Sequence, residues 1–532
     1  MLATLPILLP LLGAALALAL PRERAPRWVL MVTALLMPIV AIALLREIVV
    51  GGPIVVHVGG WSAPFGIALV ADRFAGIMVL LAATVGAATV LYSAGEPADA
   101  RVDRAKATLV LALLAAANGA FVAGDLFNLY VWFELMLVSS FGLAIVEGRR
   151  AQLAGGIVYV VLSLLSSTLF LVGAGLCYGA VGTLNLADLG SRLDALGDPR
   201  LATALAAPML IAFAIKAAVV PFVAWLPAAY PPLSTAIGAL FAGLLTKVGV
   251  YAMIRTGTLS FTQEPSIIGG AILVASGFTM ALGVLAAVAQ GEIRRILSFH
   301  IASQIGYMLM GLGLALVLIG RVDAQATPES NAIRSELATL ALGGAILYIL
   351  HHIIVKTNLF LVAGLIERRR GTTELKSLGG LARSDPFIAA IFLVTALSLA
   401  GIPILSGFWA KLVLVRAGLG AGAWLITAIA LATSLITLFS MMKIWIEAFW
   451  REPDDDAPAE RERGAGWTLM IVASTGLATI ALAIGIGARP AWALARSAAE
   501  QLLDRPAAIE RVLGTSPASR PATPAQESEV SP

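Results

Sequence analysis

The chain has 532 residues, 59% hydrophobic and only 13% charged, with a mean hydropathy of +0.92 and a formal net charge of +4. A soluble globular domain carries about 25% charged residues, so this composition excludes a water-solvated fold, and loop bias explains the small positive excess without a nucleic-acid partner. The lone cysteine, Cys177, excludes a disulfide framework and a cysteine-based metal site.

The apolar residues fall into fourteen blocks, starting near residues 2, 28, 72, 106, 126, 152, 204, 231, 266, 293, 337, 386, 422 and 466. Each is about 18–30 residues long, enough for a helix to cross a hydrocarbon core of about 30 Å. The expected fold is therefore an all-α polytopic membrane bundle of about fourteen transmembrane helices. The first block is read as a retained span. No Lys or Arg precedes it and Arg22, Arg24 and Arg27 follow it, the reverse of a cleavable signal.

Five blocks carry a charge that lipid disfavours: Glu134, Lys216, Lys247, Lys356 and Lys411. Together they cost on the order of 10 kcal/mol, so they are expected to face a hydrated interior and mark an ion or proton route. Glu134 stands eight residues past Leu126, roughly 12 Å deep at 1.5 Å per residue. Its expected partner is a buried lysine, and making and breaking that pair would switch the lysine between holding and releasing a proton. A static pair that only fixes helix packing is the alternative.

In the seventh block Pro221 lacks the N–H that would bond the carbonyl of Ala217, so the helix is expected to open beside Lys216. In the twelfth, Gly401, Pro403 and Gly407 are expected to break the helix before Lys411. Irregular backbone at membrane depth survives only where protein or water satisfies it, so each break implies a polar cavity beside a lysine. A packing kink with the lysine reaching the surface is the other reading. His352 and Lys356, four residues apart, share one face of the eleventh block, and His351 points about 100° away. With His300 in the tenth, they are candidate proton stepping stones or neutral interhelical hydrogen-bond partners. No phosphate loop, dinucleotide fingerprint or metal-ligand set is present. No cofactor, metal or bond-making catalysis is expected.

Residues 490–513 read as an interfacial amphipathic helix, the last twenty or so as disordered, and Asp454-Asp455-Asp456 as a solvated loop. Alternate loops hold about eighteen and about eight Lys and Arg, which places the richer set in the cytoplasm and both termini outside it.

Gly182, Thr183, Leu186, Leu189 and Gly190 recur as Gly371, Thr372, Leu375, Leu378 and Gly379, and Leu169-Phe170-Leu171-Val172 recurs as Leu359-Phe360-Leu361-Val362, which reads as a duplicated unit, with chance similarity between Leu-rich helices as the alternative. The copies lie five blocks apart, so the second enters the membrane from the opposite side. Inverted repeats in transporters place ion sites near mid-membrane, usually on interrupted helices. The expected units are a three-helix segment at 1–105, five-helix repeats at 106–256 and 257–450, a cytoplasmic loop and last span at 451–488, and the interfacial helix and tail at 489–532.

The stretches Gly124-Asp125-Leu126-Phe127-Asn128-Leu129-Tyr130-Val131-Trp132-Phe133-Glu134, Lys216-Ala217-Ala218-Val219-Val220-Pro221, Ser303-Gln304-Ile305-Gly306-Tyr307-Met308 and Ser406-Gly407-Phe408-Trp409-Ala410-Lys411 resemble the antiporter-like subunits shared by respiratory complex I and the Mrp-type multisubunit cation/proton antiporters. The Gly-Asp-Leu-Phe-Asn run, His300 and the run ending at Lys247 look most like the D-type subunits of the Mrp branch. The resemblance implies broken seventh and twelfth helices and a mid-membrane proton path in a bacterial cell membrane. Along that path Glu134 modulates Lys216, Lys247 passes the proton on, and His352, Lys356 and Lys411 follow. It also implies other membrane subunits as partners, with protons exchanged for Na⁺ or another monovalent cation. A pump subunit of NADH:quinone oxidoreductase or a membrane hydrogenase is the alternative. A structural scaffold without transport is the contrasting class.

Overall fold

The computed structural model describes residues 1–20, 25–97, 99–322, 325–453 and 460–514. Arg22, Arg24, the Asp454–Asp456 loop and nearly all of the tail expected to be disordered lie outside them. The chain opens with α1 (Leu5–Ala19) and α2 (Ala25–Gly51). An antiparallel hairpin, β1 (Ile54–His57) with β2 (Ala68–Ala71), and α3 (Arg73–Ala94) follow. Next come α4 (Ala100–Val122), α5 (Leu126–Ile145), α6 (Arg150–Val181), α7 (Leu186–Leu196), α8 (Pro199–Lys216), α9 (Trp225–Ala229) and α10 (Thr235–Leu259). The second half holds α11 (Pro265–Val288), α12 (Ile293–Ile319), α13 (Pro328–Arg370), α14 (Leu381–Ser384), α15 (Pro386–Ala400), α16 (Ser406–Gly420) and α17 (Trp424–Ile444). The chain closes with α18 (Trp467–Ile486), α19 (Ala488–Leu503) and α20 (Arg505–Leu513).

Among the described residues twelve helices are long and apolar enough to cross a membrane, while the blocks at 2 and 386 give the shorter helices α1 and α15. The sequence sets the helix limits locally. Asp125, Asn185, Asp198, Glu292 and Thr327 each accept a backbone N–H at the start of α5, α7, α8, α12 and α13. Gly182 and Gly371 end α6 and α13 in the left-handed conformation that glycine adopts without strain. Every residue of α10 from Ala236 to Thr258 is buried, which its apolar circumference requires. With α12 and α13 it forms the centre of the bundle.

Two short bridges echo each other. Residues 124–126 pair with 184–186, and residues 291–293 pair with 373–375. The first lies beside the C-terminal end of α10, where the Ser260 hydroxyl donates to the Leu186 carbonyl. The second lies at the opposite end, where Arg294 donates to the carbonyls of Pro231 and Leu233.

One element was not foreseen from the sequence and two expectations are corrected. The hairpin over 54–71 falls between apolar blocks and had no periodic signal. The amphipathic segment is two helices, because Asp504 starts α20 by accepting from Ala507 N. α19 packs its Ala495, Ala498, Ala499 and Leu502 face onto the bundle. Finally, Gly407 does not break a helix: it sits in the first turn of α16.

Candidate proton path

In the first half, α8 stops at Lys216, and Ala218 takes a positive φ of 58°. Pro221 lies in the irregular segment beyond. Protein groups satisfy the freed backbone: Trp225 Nε1 donates to the Ile215 carbonyl at 3.0 Å, and Val220 N donates to Thr279 Oγ1 at 3.1 Å. The buried Lys216 Nζ donates to the Tyr159 hydroxyl at 3.3 Å and sits 5.4 Å from that ring's centroid. Tyr159 in turn meets Ser140 Oγ of α5 at 2.6 Å. Glu134 is half-buried on the outer face of α5, where its carboxylate accepts from Ser167 of α6. No ion pair joins Glu134 and Lys216 among the described residues.

Lys247, fully buried on α10, donates to the Ala242 carbonyl of its own helix at 2.5 Å. Two glycines bring its neighbours close. A Cβ at Gly249 would meet Phe213 O at 2.7 Å and Ala217 N at 2.8 Å on the end of α8, and one at Gly243 would meet Thr357 Oγ1 at 2.4 Å on α13. Lys247 therefore stands between Lys216 and Lys356. Lys356 donates to the Leu297 carbonyl of α12 at 3.0 Å.

In the second half, α15 ends at Ala400, and Gly401, Pro403 and Ile404 form the break, with φ of 89° at Gly401 and 76° at Ile404. Lys411 Nζ closes the open end of α15. It donates to the carbonyls of Leu399 at 3.0 Å and Ala400 at 2.9 Å and to Ser434 Oγ at 3.0 Å. The left-handed conformation at Gly401 favours glycine, and a Cβ there would meet Lys411 Cδ at 2.8 Å and displace the lysine. Lys411 also lies 5.1 Å from the Tyr307 ring centroid. Tyr307 stacks on Tyr348 at 5.0 Å, Tyr348 stacks on His352 at 6.3 Å, and the Tyr348 hydroxyl donates to Gln304. His300 Nε2 meets Ser440 Oγ at 2.9 Å.

Both ring nitrogens of His352 and one each of His300 and His351 are buried without a protein partner among the described residues. An unmet buried polar group costs about 1–3 kcal/mol unless water reaches it. His351, which points about 100° away from His352, is wired to the second break: its Nδ1 meets Ser406 Oγ at 2.8 Å, and Ser406 meets Ser398 at 2.8 Å. Gly407 permits this contact, since a Cβ there would lie 2.0 Å from Ser398 O and 2.8 Å from His351 Nε2. Gly407→Ala is expected to destabilise the protein by about 1–3 kcal/mol by forcing α15 and α16 apart. A lowered thermal unfolding midpoint of the purified assembly checks this.

Sequence reasoning missed Tyr159 and Tyr348, since tyrosines in apolar helices read as packing, and it quoted Tyr307 and Ser406 only within family-like stretches, without a role. Gln304 carried a signal, lying four residues after His300 on one face.

Residues 123–320 and 335–437 match the family described as NADH:quinone oxidoreductase/Mrp antiporter, TM. The chain is 41% identical over 510 residues to the D-type Na(+)/H(+) antiporter subunit of Alkalihalophilus pseudofirmus and 35% identical to that of Bacillus subtilis. In both cases the alignment covers 96% of this chain and 98% of the relative. Its fold superposes with a TM-score of 0.85 on a chain of the Mrp complex from Dietzia sp. DQ12-45-1b, at 34% identity, covering 96% of this chain and 99% of that one. With the family match spanning both helix breaks and every residue from Glu134 to Lys411 singled out above, this chain belongs to the NADH:quinone oxidoreductase/Mrp antiporter transmembrane family.

Proposed function

We propose that the chain is the proton-translocating subunit of a multisubunit monovalent cation/proton antiporter, relaying protons through Lys216, Lys247, His352, Lys356, Lys411 and intervening water, with His300 alongside. One observation carries the reading. The four lysines are buried, and among the described residues none forms an ion pair: each ends on neutral oxygens. A buried ammonium with no countercharge is costly, so four in a row fit groups that exchange protons better than groups that hold helices together. Glu134, held to α6 by Ser167 while Lys216 meets Tyr159 of that same helix, tunes the first of them.

Fourteen spans in two inverted five-helix repeats, near 106–256 and 257–450, fit the paired bridges at opposite ends of α10. The unequal basic loops fit cytoplasmic placement of the arginine-rich end with both termini outside. Relatives named as D-type subunits of Na(+)/H(+) antiporters favour Na⁺ as the exchanged ion and other membrane subunits as partners, and a half-buried Glu134 on the outer face fits a covering neighbour. A pump subunit of a redox complex is the second reading, since the family includes such proteins.

The test is sodium- and potassium-driven proton movement in everted vesicles carrying the whole assembly. Glu134→Gln is expected to slow exchange roughly tenfold, less than loss of a relay group would. Unchanged exchange in a normally assembled complex would favour the scaffold instead.

A further inference from the structure

At the arginine-rich end, the segment after α3 carries Glu96 to the start of α10. Its Oε1 accepts from Ala236 N at 3.3 Å, so the carboxyl sits on the N-terminus of the helix that bears Lys247. Five cations surround this mouth, and each is engaged elsewhere. Lys106 of α4 pairs with Glu147 at 2.7 Å, Arg294 of α12 with Glu367 at 2.5 Å, and Arg27 of α2 with Asp103 at 2.8 Å. Arg149 also pairs with Glu147, and Arg368 of α13 donates to the Gly95 carbonyl at 3.2 Å. Glu96 itself forms no ion pair among the described residues.

Beside it lies a cavity of about 30 Å³, lined by Thr89, Ser93, Glu96, Lys106, Ser234 and Leu240 among others. That is room for about one water molecule, and the buried Ser234 hydroxyl has no protein partner among the described residues. Burial pushes the Glu96 carboxyl up to about 7, with Glu147 adding to the rise while Lys106, the Ala236 N–H and Arg294 oppose it. Ala236 and Leu240 line the cavity, and Lys247, eleven residues past Ala236, falls on the same face of α10 about 16 Å deeper.

We propose that Glu96 is the carboxyl through which protons enter or leave the relay at the arginine-rich end, exchanging with solution and with the cavity on the Lys247 side. This inference rests on the proton-relay reading above. Nothing but a proton moves: the carboxylate gains one from water on one side and returns one to water on the other.

Glu96→Gln separates this role from a plain helix cap, because the amide oxygen still accepts from Ala236 N but cannot ionise. In everted vesicles carrying the full assembly, we expect the variant to exchange roughly tenfold more slowly and to lose the inflection near pH 7 of the pH–rate profile. Glu96→Asp should retain an inflection. A Glu96→Gln complex with the wild-type rate and profile, or one with altered stability alone, would overturn the proposal. Lys216→Ala in the same vesicles keeps the two ideas apart. If it abolishes exchange while Glu96→Gln does nothing, only the entry site is wrong; if it leaves exchange intact, the relay itself is wrong.

Discussion

Lys216→Ala is expected to slow cation-driven proton movement by roughly 100-fold or more while the complex still assembles, because a positioned proton-transfer group is worth about 10²–10⁴-fold. Truncation leaves no orphan. The Tyr159 hydroxyl keeps its contact with Ser140 at 2.6 Å, and alanine suits the last turn of α8. Removing an unpaired buried charge also relieves its desolvation cost, which offsets the packing lost with the lysine stem. The informative companion is Lys216→Arg, which keeps the charge but cannot release its proton. Arginine should fail as alanine does, so wild-type exchange by the arginine variant would contradict a relay at this position.

Asp72→Ala should act on stability. The Asp72 carboxylate accepts from both guanidinium nitrogens of the buried Arg255, one of them at 2.8 Å, and caps α3 by accepting from Ala75 N at 2.9 Å. Arg255 also donates to the Tyr251 hydroxyl at 2.7 Å and lies 5.3 Å from that ring's centroid. Breaking a buried pair strands a charge, at a cost of about 3–5 kcal/mol, and the lost cap adds about 1 kcal/mol. A large fall in the thermal unfolding midpoint or in the yield of assembled complex is the expected result. An Asp72→Ala complex as stable as wild type would show that water, not Asp72, compensates Arg255.

The buried lysines were legible because each is a single charge in an apolar run, a signal no packing argument removes. Their partners were not. Tyr159 and Tyr307 become partners only when α6 meets α8 and α12 meets α16, and Glu96 meets the start of α10, 140 positions away, only in the folded chain. Breaks were half legible. Proline alone is a poor marker: Pro208 lies inside α8, while the break there begins before Pro221. At the second break Gly401 does what the sequence implied, but Gly407 serves a close helix contact instead. The hairpin at 54–71 is too short to show a period.

The central claim is that water reaches these stranded groups and protons hop between them. A density map of the assembled complex that resolves ordered water tests it most directly. The account predicts water within about 3 Å of the His352 ring nitrogens and of Lys216 and Lys247 Nζ, forming a line between the two breaks. Dry, continuously packed side chains around all three would contradict it.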